Sequence, residues 1–222
     1  MLDLLGYPSL IVGRVIALVV ALTIHEFAHA LAARQLGDRT AEQLGRLTLN
    51  PLAHLDPIGS LMLIIGGFGW AKPVPVNPYN LRGTPRRSMA LVAAAGPLSN
   101  ILQAFVFATP MRFGLLDFHP GAFSTEYLVP GAVIPSIELV LSLLIWINLL
   151  LAVFNLIPLG PLDGMKALLG VVPDSVASML EPINRYGGML LLALLVFGGD
   201  ILGLILITPA FSLLSSVLGY IQ

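Results

Sequence analysis

The stretch from Leu10 to Ala33 reads as one unbroken apolar helix, and Met89 to Thr109, Val133 to Phe154 and Tyr186 to about Leu206 repeat the pattern. Crossing about 30 Å of hydrocarbon takes roughly 20 such residues, so these segments commit the chain to a bilayer. A soluble fold burying all of them would need a larger polar coat. Only 10% of the 222 residues are charged and 57% are hydrophobic, against roughly 25% charged in an ordinary soluble domain; the mean hydropathy is +0.92. The expectation is an all-α polytopic membrane protein, a bundle of four to six transmembrane helices forming a single integral membrane domain over residues 1–222. The tail from Leu206 to Gln222 reads as a short fifth span or an interfacial helix, with Asp200 marking a break before it. The first stretch has no basic segment ahead of it and runs into charged residues, so it reads as a retained helix rather than a signal peptide.

Ile58 to Trp70 is apolar but short and carries Gly59, Gly66, Gly67 and Gly69, which suits a small re-entrant element between the first and second spans better than a crossing helix. If it does not cross, Arg34, Arg39, Arg46, Lys72, Arg82, Arg86 and Arg87 share one side, seven of the eleven basic residues. The positive-inside rule then makes that side cytoplasmic and puts the N-terminus outside. From Gly45 to Asn80 the pattern resembles short extended pieces whose prolines exclude helix and confine any strand to an edge. Such an edge is suited to pairing with an extended peptide, with Pro75 and Asn77 as candidate substrate contacts; a plain connector is the other reading. A net charge of −1 without any basic run argues against a nucleic-acid partner. With no cysteine in the chain, histidine and carboxylate are the strong metal ligands left.

His25, Glu26, Phe27, Ala28 and His29 spell H-E-x-x-H inside the first apolar helix. One helical turn separates the histidines, so both imidazoles lie on one face and can share a zinc ion, with Glu26 within reach of a water beside it. The other reading, a polar stripe packed between helices, is disfavoured because ionisable groups at membrane depth are costly and by default functional. A catalytic zinc takes a third protein ligand and keeps one position open. Asp163 is the best placed, following the third span in F-N-L-I-P-L-G-P-L-D-G on the same predicted side as the histidines. Its bland alternative is an N-cap for a helix beginning at Gly164.

The pairing of H-E-F-A-H in one helix with N-x-x-P-x-x-x-P-L-D-G after a later one resembles the site-2 protease family of intramembrane zinc metalloproteases. The likeness extends through G-R-L-T-L-N-P-L-A-H-L-D-P-I-G, F-G-W-A-K-P-V-P-V-N-P and A-G-P-L-S-N, covering most of residues 20–170, and is to the short members without an accessory domain. It implies one catalytic Zn2+ on His25, His29 and Asp163, Glu26 as the base, and Asn155 binding or polarising the scissile carbonyl. It also implies regulated intramembrane proteolysis of single-pass transmembrane proteins in the lipid bilayer, in a prokaryotic inner or plasma membrane, with the active site nearer the cytoplasmic side. A homo-oligomer is compatible with it.

Asn100 sits mid-span and is read as facing the bundle interior, in packing or in substrate contact. His54 reads as a structural hydrogen-bonding residue, and His119 as a residue of the outside loop, away from the site. Two readings of other classes stay open at this level. One is a membrane zinc or solute carrier, which would not need Glu26 and would show inverted repeats. The other is a non-proteolytic relative that only binds membrane helices.

Overall fold

A computed structural model of the chain describes residues 6–56, 59 and 71–219. Among the described residues the fold is all-helical, with no strand and one isolated antiparallel bridge, Leu55 to Ala71. Among the described residues five helices are long and apolar enough to cross a membrane: α1 (Pro8–Gln35), α2 (Pro85–Arg112), α3 (Ile137–Leu156), α5 (Asp174–Phe197) and α6 (Gly199–Leu218). Between α3 and α5 lies the short α4 (Asp163–Val171). The chain is an integral membrane protein.

The helix starts follow from local chemistry. Pro8 and Pro85 open α1 and α2, where a missing N–H costs nothing and a fixed φ helps. Ahead of α3, the Ser136 hydroxyl accepts the Leu139 N–H at 3.2 Å, satisfying one donor that the first turn leaves unpaired. In α6 a π turn, Gly203–Ile207, precedes Thr208 and Pro209, as expected where a proline removes an N–H from the helical ladder.

By internal contacts the chain divides into two compact units, Met1–Ala21 with Asn100–Val153 and Gly203–Gln222, and Leu22–Ser99 with Phe154–Leu202. The first unit has an apolar interior. Ala104, Ala108, Ile145, Leu149, Ala210, Leu214 and Val217 form one cluster, and Trp146 meets Phe123 and Phe211 at ring separations of 4.9 and 4.8 Å. The second unit has a small apolar cluster of Ala33, Leu81 and Val92 beside a polar interior described below.

Three expectations change. The fourth span begins at Asp174, well before Tyr186, and ends at Phe197, because the exposed Glu181 and Arg185 and the half-buried Asn184 sit within a continuous helix and only dilute its apolar signal. The tail is a full-length helix, and the break before it falls at Gly198, with Asp200 in the first turn of α6. No β region forms among the described residues between α1 and α2; prolines at 73, 75 and 78 leave too few donors for a ladder. The re-entrant element expected at Ile58 to Trp70 lies outside the described residues, apart from Gly59.

Candidate metal centre

α1 places His25 and His29 one turn apart, with rings edge to face at 4.6 Å between centroids. α4 brings in Asp163, its first residue; the N-cap position belongs to Leu162, whose side chain makes no cap. The Asp163 carboxylate therefore does not cap the helix but turns to the histidines. Its Oδ2 lies 3.2 Å from His25 Nε2 and 3.0 Å from His29 Nε2, and the two Nε2 atoms are 3.0 Å apart. All three side chains are buried, and they are the one group of this kind among the described residues whose donor atoms converge closely enough to hold a metal ion.

The chemistry of this donor set calls for a cation. His29 Nδ1 lies 2.8 Å from the Val92 carbonyl, which only accepts, so Nδ1 carries the proton. In the neutral ring Nε2 is then a bare lone pair. It faces a carboxylate oxygen at 3.0 Å, and these two acceptors repel unless a metal ion or a proton on Nε2 lies between them. A tetrahedral zinc about 2.0–2.2 Å from each donor sets the donors roughly 3.3–3.6 Å apart, a few tenths of an ångström more than here. The residues fit the ion.

The surroundings hold these ligands in place. Gly96 of α2 packs directly on both rings: a Cβ there would come within 2.5 Å of His29 Cε1 and 2.6 Å of His25 Cε1. Gly164 allows the start of α4 to close on the end of α3, where a Cβ would stand 2.5 Å from the Ile157 carbonyl oxygen. Lys166 Nζ lies 3.3 Å from Asp163 Oδ1, pairing with the oxygen not turned to the histidines. Glu26 is buried, and its Oε2 accepts the Val74 N–H at 3.1 Å.

Sequence reasoning singled out neither Asp38 nor the ring contact of Gly96. Asp38, three residues past α1, is fully buried and accepts from the Thr40 N–H at 3.0 Å, the Thr40 hydroxyl, the Asn77 N–H at 2.7 Å and the Asn80 amide at 3.1 Å. Burial by itself raises its carboxyl pKa; the four donors outweigh burial and hold it below the ordinary carboxylate value. The one signal in the sequence was the Asp-x-Thr turn.

The other candidates are placed as follows. Asn155 is half-buried in the last turn of α3, in the same unit as the histidines and Asp163. Asn77 caps a 3-10 turn through its side chain, which accepts the Tyr79 N–H at 3.1 Å, and Pro75 lies in the irregular segment leading to it. Asn100 belongs to the other unit, fully buried, its amide donating to Asn148 Oδ1 at 2.7 Å and the Ala21 carbonyl at 3.3 Å. His54 Nε2 donates to the Thr48 carbonyl at 2.8 Å. His119 caps the 3-10 turn Pro120–Ala122.

The family model described as Peptidase family M50 matches residues 13–197. YwhC of Bacillus subtilis (strain 168), which bears the name of a zinc metalloprotease, is 42% identical over 86% of this chain and 84% of its own. The similarly named Rip2 of Mycolicibacterium smegmatis is 26% identical over 86% of this chain and 70% of its own. A relative from the archaeon Methanocaldococcus jannaschii is 32% identical over 65% of this chain and 62% of its own. No solved structure matches. A match spanning most of the chain, joined to a buried His-His-Asp cluster on helices of membrane-spanning length, makes the chain a member of peptidase family M50, the site-2 proteases that its motifs resemble.

Proposed function

We propose that the chain is an intramembrane zinc endopeptidase that hydrolyses peptide bonds in or beside the transmembrane segments of other membrane proteins. His25, His29 and Asp163 hold one zinc ion, Glu26 is the general base, and Asn155 contacts the scissile carbonyl. The observation that carries this reading is the convergence of His29 Nε2, His25 Nε2 and Asp163 Oδ2 within 3.0–3.2 Å, beside a buried carboxylate on the same helix as the two histidines. When bound, zinc supplies Lewis acidity that polarises a peptide carbonyl and eases deprotonation of a water at neutral pH.

The protein's own groups then divide the work. Glu26 takes the proton of the attacking water and returns it to the departing amine nitrogen as the C–N bond breaks, ending in its starting state. Asn155, on the last turn of α3, donates its amide to the carbonyl oxygen. His29 keeps its tautomer through Val92, and Lys166 keeps Asp163 turned inward.

A substrate helix hides its peptide bonds in its own hydrogen bonds, so it unwinds locally before attack. The irregular segment containing Pro75 and Asn77 is the element against which the unwound stretch lies extended. Asn100, wholly buried and paired with Asn148, serves packing rather than substrate contact. The substrates are single-pass proteins in the plasma membrane of a prokaryote, cut nearer its cytoplasmic side; a homo-oligomer is compatible with this.

The test compares zinc content and cleavage of a transmembrane substrate in detergent for wild type, Asp163→Ala and Glu26→Gln. Wild type binds about one zinc and cuts, Asp163→Ala loses the metal, and Glu26→Gln keeps it without cutting. Undiminished cleavage by Glu26→Gln sinks the mechanism.

A further inference from the structure

Glu26 is the base in the reading above, yet among the described residues its side chain makes a single hydrogen bond, and the donor is a backbone N–H, that of Val74, 3.1 Å from Oε2. Val74 stands between Pro73 and Pro75. Neither proline has an N–H, and each confines the residue before it to extended backbone. The Pro-Val-Pro run thus presents one donor only, and that donor is spent on the carboxylate.

The segment is tied down on both sides of Val74. Before it, the Lys72 N–H donates to the His54 carbonyl at 2.8 Å, and the buried Arg46 donates through Nη2 to the Lys72 carbonyl at 2.5 Å. After it, the Asn77 N–H donates to Asp38 at 2.7 Å. Asp38 is itself bound to the end of the helix that carries Glu26, its own N–H donating to the Ala33 carbonyl at 2.9 Å. A plain connector does not require two buried charged residues as anchors, since burying charge is costly without a return.

We infer that Val74 is a positioning residue for the peptidase reaction. Its N–H fixes Oε2 of Glu26 and leaves Oε1 to take the proton of the attacking water, and Arg46 and Asp38 hold Val74 at the required height along α1. This rests on the assignment of Glu26 as the base. A base displaced by about an ångström loses on the order of a hundredfold in rate, so one fixed N–H has a measurable effect on turnover. It acts on the chemical step and not on metal binding.

Val74→Pro deletes the N–H while asking for a backbone that Pro75 already imposes; Val74→Ala keeps the N–H and removes the side chain. The loss in Val74→Pro beyond that in Val74→Ala reports the lost N–H together with the ring carbon that takes the place of its hydrogen beside Oε2, and the α-hydroxy acid analogue of Val74 separates the two. The expected result is a kcat for Val74→Pro about tenfold to a hundredfold below that of Val74→Ala, with the same KM and the same zinc content. Equal kcat in the two variants overturns the inference.

Should Val74→Pro fail to fold, replacing Val74 by its α-hydroxy acid analogue removes only the N–H and is judged by the same comparison. A second readout needs no catalysis. In zinc-free protein, the carboxylate stretch of Glu26, isolated as the infrared difference between wild type and Glu26→Gln, shifts when the N–H is deleted, and an unmoved band contradicts the contact. Cleavage by wild type, none by Glu26→Gln, and equal turnover in the two Val74 variants reject this inference alone. Cleavage by Glu26→Gln rejects the parent reading together with it.

Discussion

The two compact units differ less in size or helicity than in what they bury. In the unit of Leu22–Ser99 and Phe154–Leu202 lie His25, Glu26, His29, Asp38, Arg46, His54 and Asp163, which are all the buried ionisable side chains among the described residues. The other unit buries aliphatic and aromatic side chains, and its buried polar groups are neutral: Ser9, Asn100, Gln103, Ser142 and Asn148. Buried charge is costly and persists where it is paired or used. Its confinement to one unit separates a chemical part of the chain from a scaffold part, and each substitution below tests whether that separation holds.

The largest effect is expected at Gly96. A valine there brings its Cβ within about 2.6 Å of both histidine rings, which must turn away and lose their common focus. Gly96→Val should bind no stoichiometric zinc and show no cleavage, at a cost of only about 1–3 kcal/mol in stability for the overpacking. Metal analysis beside a thermal melt reads both. A variant that keeps its zinc would show that α2 yields more easily than the close contact implies, and the chemical unit would then need no rigid wall.

Leu149 gives the converse result. It is fully buried in the aromatic and aliphatic cluster of the scaffold unit, and Leu149→Ala should cost about 2–5 kcal/mol through lost burial and a cavity. The folded fraction should retain full zinc content and its kcat. If kcat falls while the zinc stays, the scaffold is coupled to the chemistry and the division into parts is too sharp.

The same contrast governs what the sequence could reveal. His25, Glu26 and His29 were legible because a helical turn is a fixed ruler, and Asp163 because a carboxylate after a run of Pro and Gly has few purposes at membrane depth. The helices announced themselves by apolar runs wherever their outward faces meet lipid. Around α5 the run was diluted by Glu181, Asn184 and Arg185, so half of that helix was hidden.

Gly96 and Val74 were illegible for different reasons. A glycine in an apolar helix has several explanations, and only the position of the rings selects one. A backbone N–H leaves no trace in residue identity; Pro-Val-Pro says that the chain is extended there, not what its single donor meets. Asp38 went unnoticed because only two of its four donors, both on Thr40, are close in sequence, whereas those of Asn77 and Asn80 come from far along the chain.

The smallest effect expected is at Asn148, and it is the finest probe of the comparison. Its Oδ1 accepts the Asn100 amide at 2.7 Å and its own amide donates to the Leu144 carbonyl at 2.8 Å. Asn148→Ala removes both bonds but does not strand the Asn100 amide, which keeps the Ala21 carbonyl at 3.3 Å. Polar pairs between membrane helices are worth roughly 0.6 kcal/mol on average and up to about 1.7 kcal/mol, because the separated helices find other partners. The expected loss of stability is therefore about 0.5–1.5 kcal/mol, measured by denaturant or heat in detergent, with zinc content unchanged. A scaffold role predicts that small number and nothing more. A loss of turnover out of proportion to it would mean that the amide pair belongs to the chemistry, and the boundary between the two parts would then run through α2 and α3 rather than between the neutral and the charged interiors.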